Sequence, residues 1–195
     1  MANLFPIFLN LTGRPVLLVG GGPVATSKLG ALLAAGADVT VVAPEVSAEI
    51  VASGVRVQAR PFRDTDVEGV WLIVAAAPPA VNRAVAVAAA SRQVFVNAVD
   101  DPPNADAYLG GVIRRDGVTI AISTDGRAPA LAGLLREGLD ALLPQDLDRW
   151  MAEAARMRQH WKATGVPMDA RRPQLLDALI RLYRREEALE ATVTL

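Results

Sequence analysis

Short apolar segments alternate with segments of helical pattern over the first half of the chain. The apolar segments predict strands at residues 15–19, 39–42, 55–59, 70–75 and 95–99. Helices are predicted at residues 24–35, 47–53 and 80–90, and Gly36 stands where a glycine would end the first of them. The segment at 55–59 alternates apolar and polar residues, and the other predicted strands are largely apolar. Because strands and helices alternate along the chain, we expect a Rossmann-like α/β fold with a parallel sheet buried on both faces.

The pattern changes after Asp100. Two further strands are predicted at residues 108–114 and 118–123, with Asp116-Gly117 as a hairpin turn between them. Pro129 suits the first turn of a helix. The leucines of that helix recur at helical spacing, and they are Leu131, Leu134, Leu135, Leu139 and Leu142. The chain is helical and more basic from residue 147 on. We therefore expect a Rossmann-like domain at 1–106, a small α+β region at 107–145 and a helical domain at 146–195.

Composition narrows the classes of function. Hydrophobic residues make up 52% of the 195 positions and aromatic residues only 5%, so Ala, Val and Leu must fill the core. The absence of cysteine excludes disulfides, zinc–thiolate sites, iron–sulfur clusters and thiol nucleophiles. A net charge of −1 gives no general attraction to nucleic acid or to a membrane. No apolar run approaches the roughly 20 residues that span a bilayer, and residues 1–11 lack a basic leader segment. We expect a cytoplasmic protein.

The first predicted strand runs directly into a glycine turn. Gly20 can make the tight turn, Gly22 lets the backbone approach a phosphate, and Ala25 lets the following helix pack on the strand. The amino terminus of that helix offers free N–H groups to an anion. We predict a dinucleotide site that includes the six residues Gly20, Gly21, Gly22, Pro23, Val24 and Ala25. The alternative is a purely structural turn, since the motif alone is weak.

The end of the second predicted strand bears on the choice of cofactor. Ala43 and Pro44 belong to the predicted cofactor site, and Glu45 follows them. A carboxylate near this place usually binds the ribose 2′-hydroxyl, although here it lies beyond a proline. No arginine adjoins it to bind a 2′-phosphate. We therefore predict NAD rather than NADP.

The usual catalytic groups of an alcohol dehydrogenase are missing. The one histidine, His160, falls in the basic helical segment, where a surface position is the simpler interpretation. There is no Tyr-x-x-x-Lys pair, and no His/Cys cluster indicates a metal site. The sequence argues against a generic alcohol dehydrogenase, and we predict no metal-ligating residues.

Several separated motifs together resemble one family. They are Phe5-Pro6-Ile7-Phe8-Leu9-Asn10-Leu11, the segment from Gly13 through the glycine turn to Ala25, Gly36–Pro44, Val96-Asn97-Ala98-Val99-Asp100, Ile122–Ala132 and Leu134–Glu137. In this order, from Phe5 to Pro144, they are similar to precorrin-2 dehydrogenase, the dehydrogenase/ferrochelatase module of siroheme synthase. The helical tail matches only in character.

The resemblance implies an NAD-dependent oxidation of precorrin-2 to sirohydrochlorin. In some members insertion of ferrous iron follows, so a ferrous ion is a further expected substrate. It also implies a homodimer, with region 107–145 as the dimerisation region and the active site between the Rossmann domain and the rest. Fused members carry a methyltransferase domain, for which this chain is too short, so methylation is expected from another protein.

The family's important aspartate corresponds to Asp100. A carboxylate at the carboxyl end of a strand is well placed to take the proton that accompanies hydride removal. The same carboxylate could take a pyrrole proton during chelation. The alternative is that Asp100, with Asp101 and Pro102, only opens a turn; on the residues alone the two interpretations are evenly matched, and the resemblance favours the base.

Ser123 and Arg127 are the predicted substrate-binding residues. The family has a serine near Ser123, whose alternative role is a turn leading into the next helix. The substrate carries eight carboxylate arms, so cationic partners are expected. Arg127 is the best candidate among four arginines, the others being Arg114, Arg115 and Arg136. The alternative for each arginine, and for the basic tail, is a solvated surface.

Two segments depart from the family pattern. Ala128 stands where a serine often precedes Pro129, so a helix-capping role at this position is lost. Residues 107–111 replace a usual Phe and proline, so the wall facing the substrate is expected to differ. Two rival functions stay open, namely a regulatory dimer that senses NAD without catalysis and a chelatase without dehydrogenase activity.

Overall fold

The computed structural model describes the backbone of residues 4–193 and the side chains of residues 4–183. The chain divides into two compact units. Among the described residues, one unit contains 4–110 together with 123–129, and the other contains 111–122 and 130–193. The predicted division into three domains stays a prediction.

The first unit alternates strands and helices. Its strands are β1 (Pro15–Val19), β2 (Asp38–Ala43), β3 (Arg56–Ala59), β4 (Leu72–Ala75) and β5 (Phe95–Ala98). Its helices are α1 (Pro23–Ala34), α2 (Ala48–Ala52) and α3 (Pro79–Ala90). Short 3₁₀ turns lie at Asp64–Val67 and Pro102–Asn104. The sequence pattern located all five strands and all three helices to within a few residues.

The five strands form one parallel sheet in the order β3-β2-β1-β4-β5. Val16 of β1 pairs with Val39 of β2 on one side and with Leu72 of β4 on the other. The order reverses between β1 and β4, and ligands of doubly wound sheets bind in the crevice at such a reversal. The predicted Rossmann-like α/β class is confirmed.

Alternate side chains of the sheet build two separate cores. Val16 and Leu18 face one side, where Leu29 of α1 and Ile50 of α2 cover them. Leu17 and Val19 face the other side together with α3. Strands β1 and β4 are buried on both faces, which is why they are apolar at every position.

Helix α1 ends in a Schellman motif. The Gly36 amide donates to the Leu33 carbonyl, and the Ala37 amide donates to the Leu32 carbonyl. Gly36 has φ of +75°, a conformation that glycine adopts without strain. The predicted stop at Gly36 is confirmed, and it sets where β2 begins.

The second unit consists of a hairpin and three helices. Its elements are β6 (Gly111–Arg115), β7 (Val118–Ile122), α4 (Pro129–Leu142), α5 (Leu147–Thr164) and α6 (Met168–Val193). The predicted strand at 108–114 began three residues too early, because the pairing of β6 with β7 begins at Gly111, opposite Ile122. No helix of the described residues is long and apolar enough to cross a membrane.

Candidate functional site

The glycine turn after β1 is constrained at two positions and open at the third. A methyl group on Gly20, which has φ of +127°, would overlap the carbonyl oxygen of Ala76. A methyl group on Gly21 would overlap the carbonyl oxygen of Glu45. A methyl group on Gly22 would have no atom within 4 Å. The first two glycines therefore let neighbouring backbone close in, while the third leaves free space beside the turn.

That free space lies at the amino terminus of α1. Pro23 opens the helix, no side chain caps it, and the first helical bond runs from the Thr26 amide to the Gly22 carbonyl at 3.0 Å. The amides of Val24 and Ala25 thus belong to the first turn, where helices carry unsatisfied N–H groups and positive partial charge. Ala25 is fully buried, so its small side chain lets α1 approach the sheet.

The segment after β2 is bonded to the glycine turn. Ala43 is buried at the end of the strand, and Pro44 and Glu45 are exposed. The Ser47 amide donates to the Gly21 carbonyl at 2.8 Å, and the Ser47 and Thr26 hydroxyls lie 2.9 Å apart. The predicted cofactor residues of β1, α1 and β2 therefore meet at one edge of the sheet. The space beside Gly22 and the first-turn amides fit the diphosphate of a dinucleotide.

The segment after β4 completes this edge. The Ala76 amide donates to the Val19 carbonyl at 2.8 Å, and the Ala77 amide donates to Oδ1 of Asn82 at 3.2 Å. Asn82 is almost fully buried in the first turn of α3. We did not single out Asn82 from the sequence, although an amide side chain in an Ala-rich helix after Pro78-Pro79 is a usable signal.

Two roles were considered for Asp100, a base and a turn former, and the structure gives the turn to the neighbouring Asp101. Both carboxylate oxygens of Asp101 accept from Nδ2 of Asn104, at 3.0 and 2.9 Å, so Asp101 supports the turn after β5. Asp100 is exposed at a φ of +55°, and its carboxylate has no hydrogen bond or ion pair within the part of the chain that the structure describes. The turn therefore does not engage the Asp100 carboxylate, which is available at the carboxyl edge.

Asn97 is a second buried amide that sequence reasoning missed as a site residue. Its Nδ2 donates to the Ala107 carbonyl at 2.8 Å, and its Oδ1 is buried without a partner in the described structure. The Asp106 carboxylate accepts from the Val96 amide at 3.3 Å. Together these bonds hold residues 106–107 along β5. A polar residue within an otherwise apolar strand was the available signal.

The loop containing Ser123 and Arg127 belongs to the first unit. Oγ of Ser123 accepts from the Asp125 amide at 3.1 Å, so Ser123 makes the turn that was its alternative role. The Arg127 guanidinium pairs with the Asp125 carboxylate at 3.2 Å and stays largely exposed. Gly126 packs against Tyr108 and Pro102, which brings the loop beside the turn after β5.

The other candidate arginines lie in the second unit. Arg115 donates to the Asp140 carboxylate at 2.6 Å and to the Leu143 carbonyl at 3.2 Å, so it caps the carboxyl end of α4. Arg136 pairs with Glu137 at 3.1 Å. Arg114 and His160 are exposed. Arg115 is thus structural, and His160 is at the surface as expected. Among the described residues no group of three or more His, Cys, Asp or Glu is placed to hold a metal ion.

Comparison with known proteins extends over most of the chain. Residues 7–111 match a family described as putative NAD(P)-binding. Siroheme synthase 3 of Aeromonas hydrophila is 45% identical over 175 residues, which is 87% of this chain and 37% of that protein. Siroheme synthase of Neisseria meningitidis serogroup C is 45% identical over 166 residues, which is 83% of this chain and 35% of that protein. The chain thus spans little more than a third of the length of these curated relatives.

A solved structure matches at nearly full length. It is that of SirC, precorrin-2 dehydrogenase, which is 30% identical to this chain with a TM-score of 0.70. The match covers 89% of this chain and 88% of that one. The similarity therefore includes the second unit as well as the dinucleotide-binding region.

Proposed function

The chain belongs to the precorrin-2 dehydrogenase family, and on this basis we propose that it oxidises precorrin-2 to sirohydrochlorin with NAD⁺. The observation that carries the proposal is that the predicted cofactor site and the predicted base lie at the same edge of the parallel sheet. The open side of Gly22 and the unbonded Asp100 carboxylate both lie at the carboxyl ends of parallel strands. Doubly wound sheets bind their ligands at this edge.

The oxidation removes two hydrogens from the tetrapyrrole, one as hydride and one as a proton. The nicotinamide cofactor, when bound, supplies the hydride acceptor. Gly20, Gly21, Gly22, Pro23, Val24, Ala25, Ala43 and Pro44 are the residues that would hold it. We favour NAD because Glu45 is exposed beside the glycine turn and no arginine adjoins it to bind a 2′-phosphate.

Asp100 is the proposed base. Its carboxylate makes no other bond among the described residues, so it is free to accept the proton. Ser123 and Arg127 are the proposed contacts to substrate carboxylates. The Arg127 guanidinium has five N–H donors and makes one hydrogen bond within residues 4–183, to Asp125, so other donors are available for a substrate carboxylate.

Two variants test the assignment of Asp100. Under anaerobic conditions with precorrin-2 and NAD⁺, the protein should produce sirohydrochlorin and NADH, both followed by absorbance. Asp100→Asn keeps the shape and removes the base, so we expect kcat to fall at least about 100-fold with unchanged NAD⁺ affinity. Asp116→Asn is the matched control, because Asp116 has a similar φ of +48° in the hairpin turn.

The rivals predict different results in the same assay. A regulatory NAD sensor binds NAD⁺ and makes neither product. Full turnover by Asp100→Asn contradicts the catalytic assignment while leaving the reaction itself in place. A chelatase without dehydrogenase activity makes no NADH, yet it accelerates metallation of added sirohydrochlorin.

Iron insertion is a second candidate activity, favoured by the name siroheme synthase that the curated relatives carry. Insertion of Fe²⁺ releases two pyrrole protons, and the free Asp100 carboxylate could accept them in turn. The test is the absorbance change of sirohydrochlorin with Fe²⁺ and with Co²⁺, each measured with and without the protein.

We further propose that the protein is a homodimer. Helix α4 exposes its leucines along one side, with Leu134 at 67% and Leu142 at 80% exposure, and only Ala132 of this helix is buried. A contiguous apolar helix face is typical of a subunit interface. A second copy of this chain would cover that face in a symmetric dimer.

A further inference from the structure

Tyr108 lies where two segments of the first unit meet. Its hydroxyl donates to the Pro102 carbonyl at 3.4 Å. A Cβ placed on Gly126 would lie 3.3 Å from Cε1 of Tyr108 and 3.6 Å from Cγ of Pro102. The tyrosine ring therefore packs between the loop of residues 123–128 and the turn that follows Asp100.

The loop of residues 123–128 is bonded within itself. The Arg127 amide donates to the Thr124 carbonyl at 2.9 Å, and the Ala128 amide donates to Oγ1 of Thr124 at 3.3 Å. Asp125 and Gly126 both have positive φ, at +54° and +71°. Because the bonds close the loop on itself, we expect it to move as one piece when its support changes.

Gly126 is the point at which this loop meets Tyr108 and Pro102. Glycine is needed there for two reasons, since φ is positive and a side chain would press on the ring. Pro102 in turn begins the 3₁₀ turn two residues beyond Asp100, and Asp101 fixes that turn through Asn104. A continuous set of contacts thus connects the backbone at Arg127 with the backbone at Asp100.

We propose that Tyr108 is a positioning residue that holds the loop of residues 123–128, which contains Ser123 and Arg127, at the correct distance from Asp100. The inference rests on the proposed function, in which the loop holds substrate carboxylates while Asp100 takes the proton. Both groups must act on the same molecule, and a displacement of about 1 Å can cost 100-fold in rate. Tyr108 does not need to touch the substrate to have this effect.

Four variants separate positioning from general stability. Tyr108→Ala removes the ring, and Gly126→Ala pushes the loop away from it. For both we expect KM for precorrin-2 to rise and kcat to fall, each about tenfold, with the Kd of NAD⁺ unchanged within about twofold. Tyr108→Phe keeps the ring and should stay near wild type. Gly54→Ala is the matched control, because Gly54 has φ of +75° and no neighbour within 4 Å.

Hydrogen exchange tests the same contact without any turnover. The Asp125 and Arg127 amides are bonded within the loop, and in Tyr108→Ala we expect them to exchange at least about tenfold faster. The amides of β1 should not change. If wild-type protein makes no sirohydrochlorin, the proposed function fails and these amides still test the role of Tyr108.

Two results would overturn the inference. One is a Tyr108→Ala variant with wild-type KM, kcat and loop exchange. The other is a variant whose NAD⁺ affinity, melting temperature and KM all worsen together, since that pattern belongs to a merely structural residue.

Discussion

Gly20 and Gly22 lie two residues apart, yet the structure predicts opposite consequences for the same change. Gly22 has φ of −86° and open space where a Cβ would project, so alanine fits the folded backbone. Gly20 has φ of +127°, and its Cβ would press on the Ala76 backbone. We expect Gly22→Ala to lose cofactor binding with little loss of stability, and Gly20→Ala to lose stability.

The stability change of Gly22→Ala is the sum of two opposing effects. Replacing glycine at a permissive φ stabilises by about 0.4–1 kcal/mol through the unfolded chain. Alanine is a poorer helix N-cap than glycine, and this difference lowers the free energy of unfolding by less than about 1 kcal/mol. The net free energy of unfolding should therefore change by less than about 1 kcal/mol, or about 2–4 °C in melting temperature.

For Gly20→Ala both effects are unfavourable. A non-glycine residue at such a φ costs about 1–3 kcal/mol. Ala76 cannot retreat without stretching its 2.8 Å bond to the Val19 carbonyl. We expect a loss of about 3 kcal/mol or more, which corresponds to about 6–12 °C in melting temperature for a chain of this size.

Calorimetric titration with NAD⁺ and thermal melts of both variants distinguish these outcomes. A methyl group beside Gly22 keeps the diphosphate from the first-turn amides, so we expect NAD⁺ affinity to fall at least about 30-fold, equivalent to about 2 kcal/mol. Wild-type affinity in Gly22→Ala would refute a diphosphate site at this turn. A stability loss equal to that of Gly20→Ala would refute the open geometry.

Two more predictions concern stability and assembly. The Arg60 guanidinium and the Arg63 amide both donate to the Asp66 carboxylate, and they hold the pKa of Asp66 below its ordinary value. The carboxylate therefore stabilises the fold fully at pH values above its unfolded-state pKa of about 4. This stabilisation is lost as the pH falls through the pKa of Asp66 in the folded state. Asp66→Asn should cost about 1–3 kcal/mol in urea unfolding at pH 7 and clearly less near pH 3, and an equal cost at both would contradict the assignment. Replacing Leu134 and Leu142 by Asp should convert the proposed homodimer to monomer in sedimentation or light scattering, whereas an unchanged mass would exclude this face as the interface.

Local patterns were sufficient for the Rossmann-like unit. Apolar runs such as residues 16–19, which end in a glycine turn, are typical of strands buried on both faces, and this pattern predicted the sheet. The stop of α1 at Gly36 could also be predicted, because the bonds that close the helix lie within five residues of it. The packing of the glycine turn against Ala76 and Glu45 could not, since those residues are distant in sequence.

The roles of the remaining polar groups depend on contacts between segments that are distant in sequence. The sequence makes Arg115 a candidate for binding substrate, whereas in the structure it caps α4 through a bond to the Leu143 carbonyl, 28 residues further along the chain. Asp101 rather than Asp100 supports the turn after β5, and Tyr108 meets Gly126 across the whole hairpin. Such pairings depend on which segments the fold brings together, and a side chain's own sequence neighbours carry no information about a partner that distant.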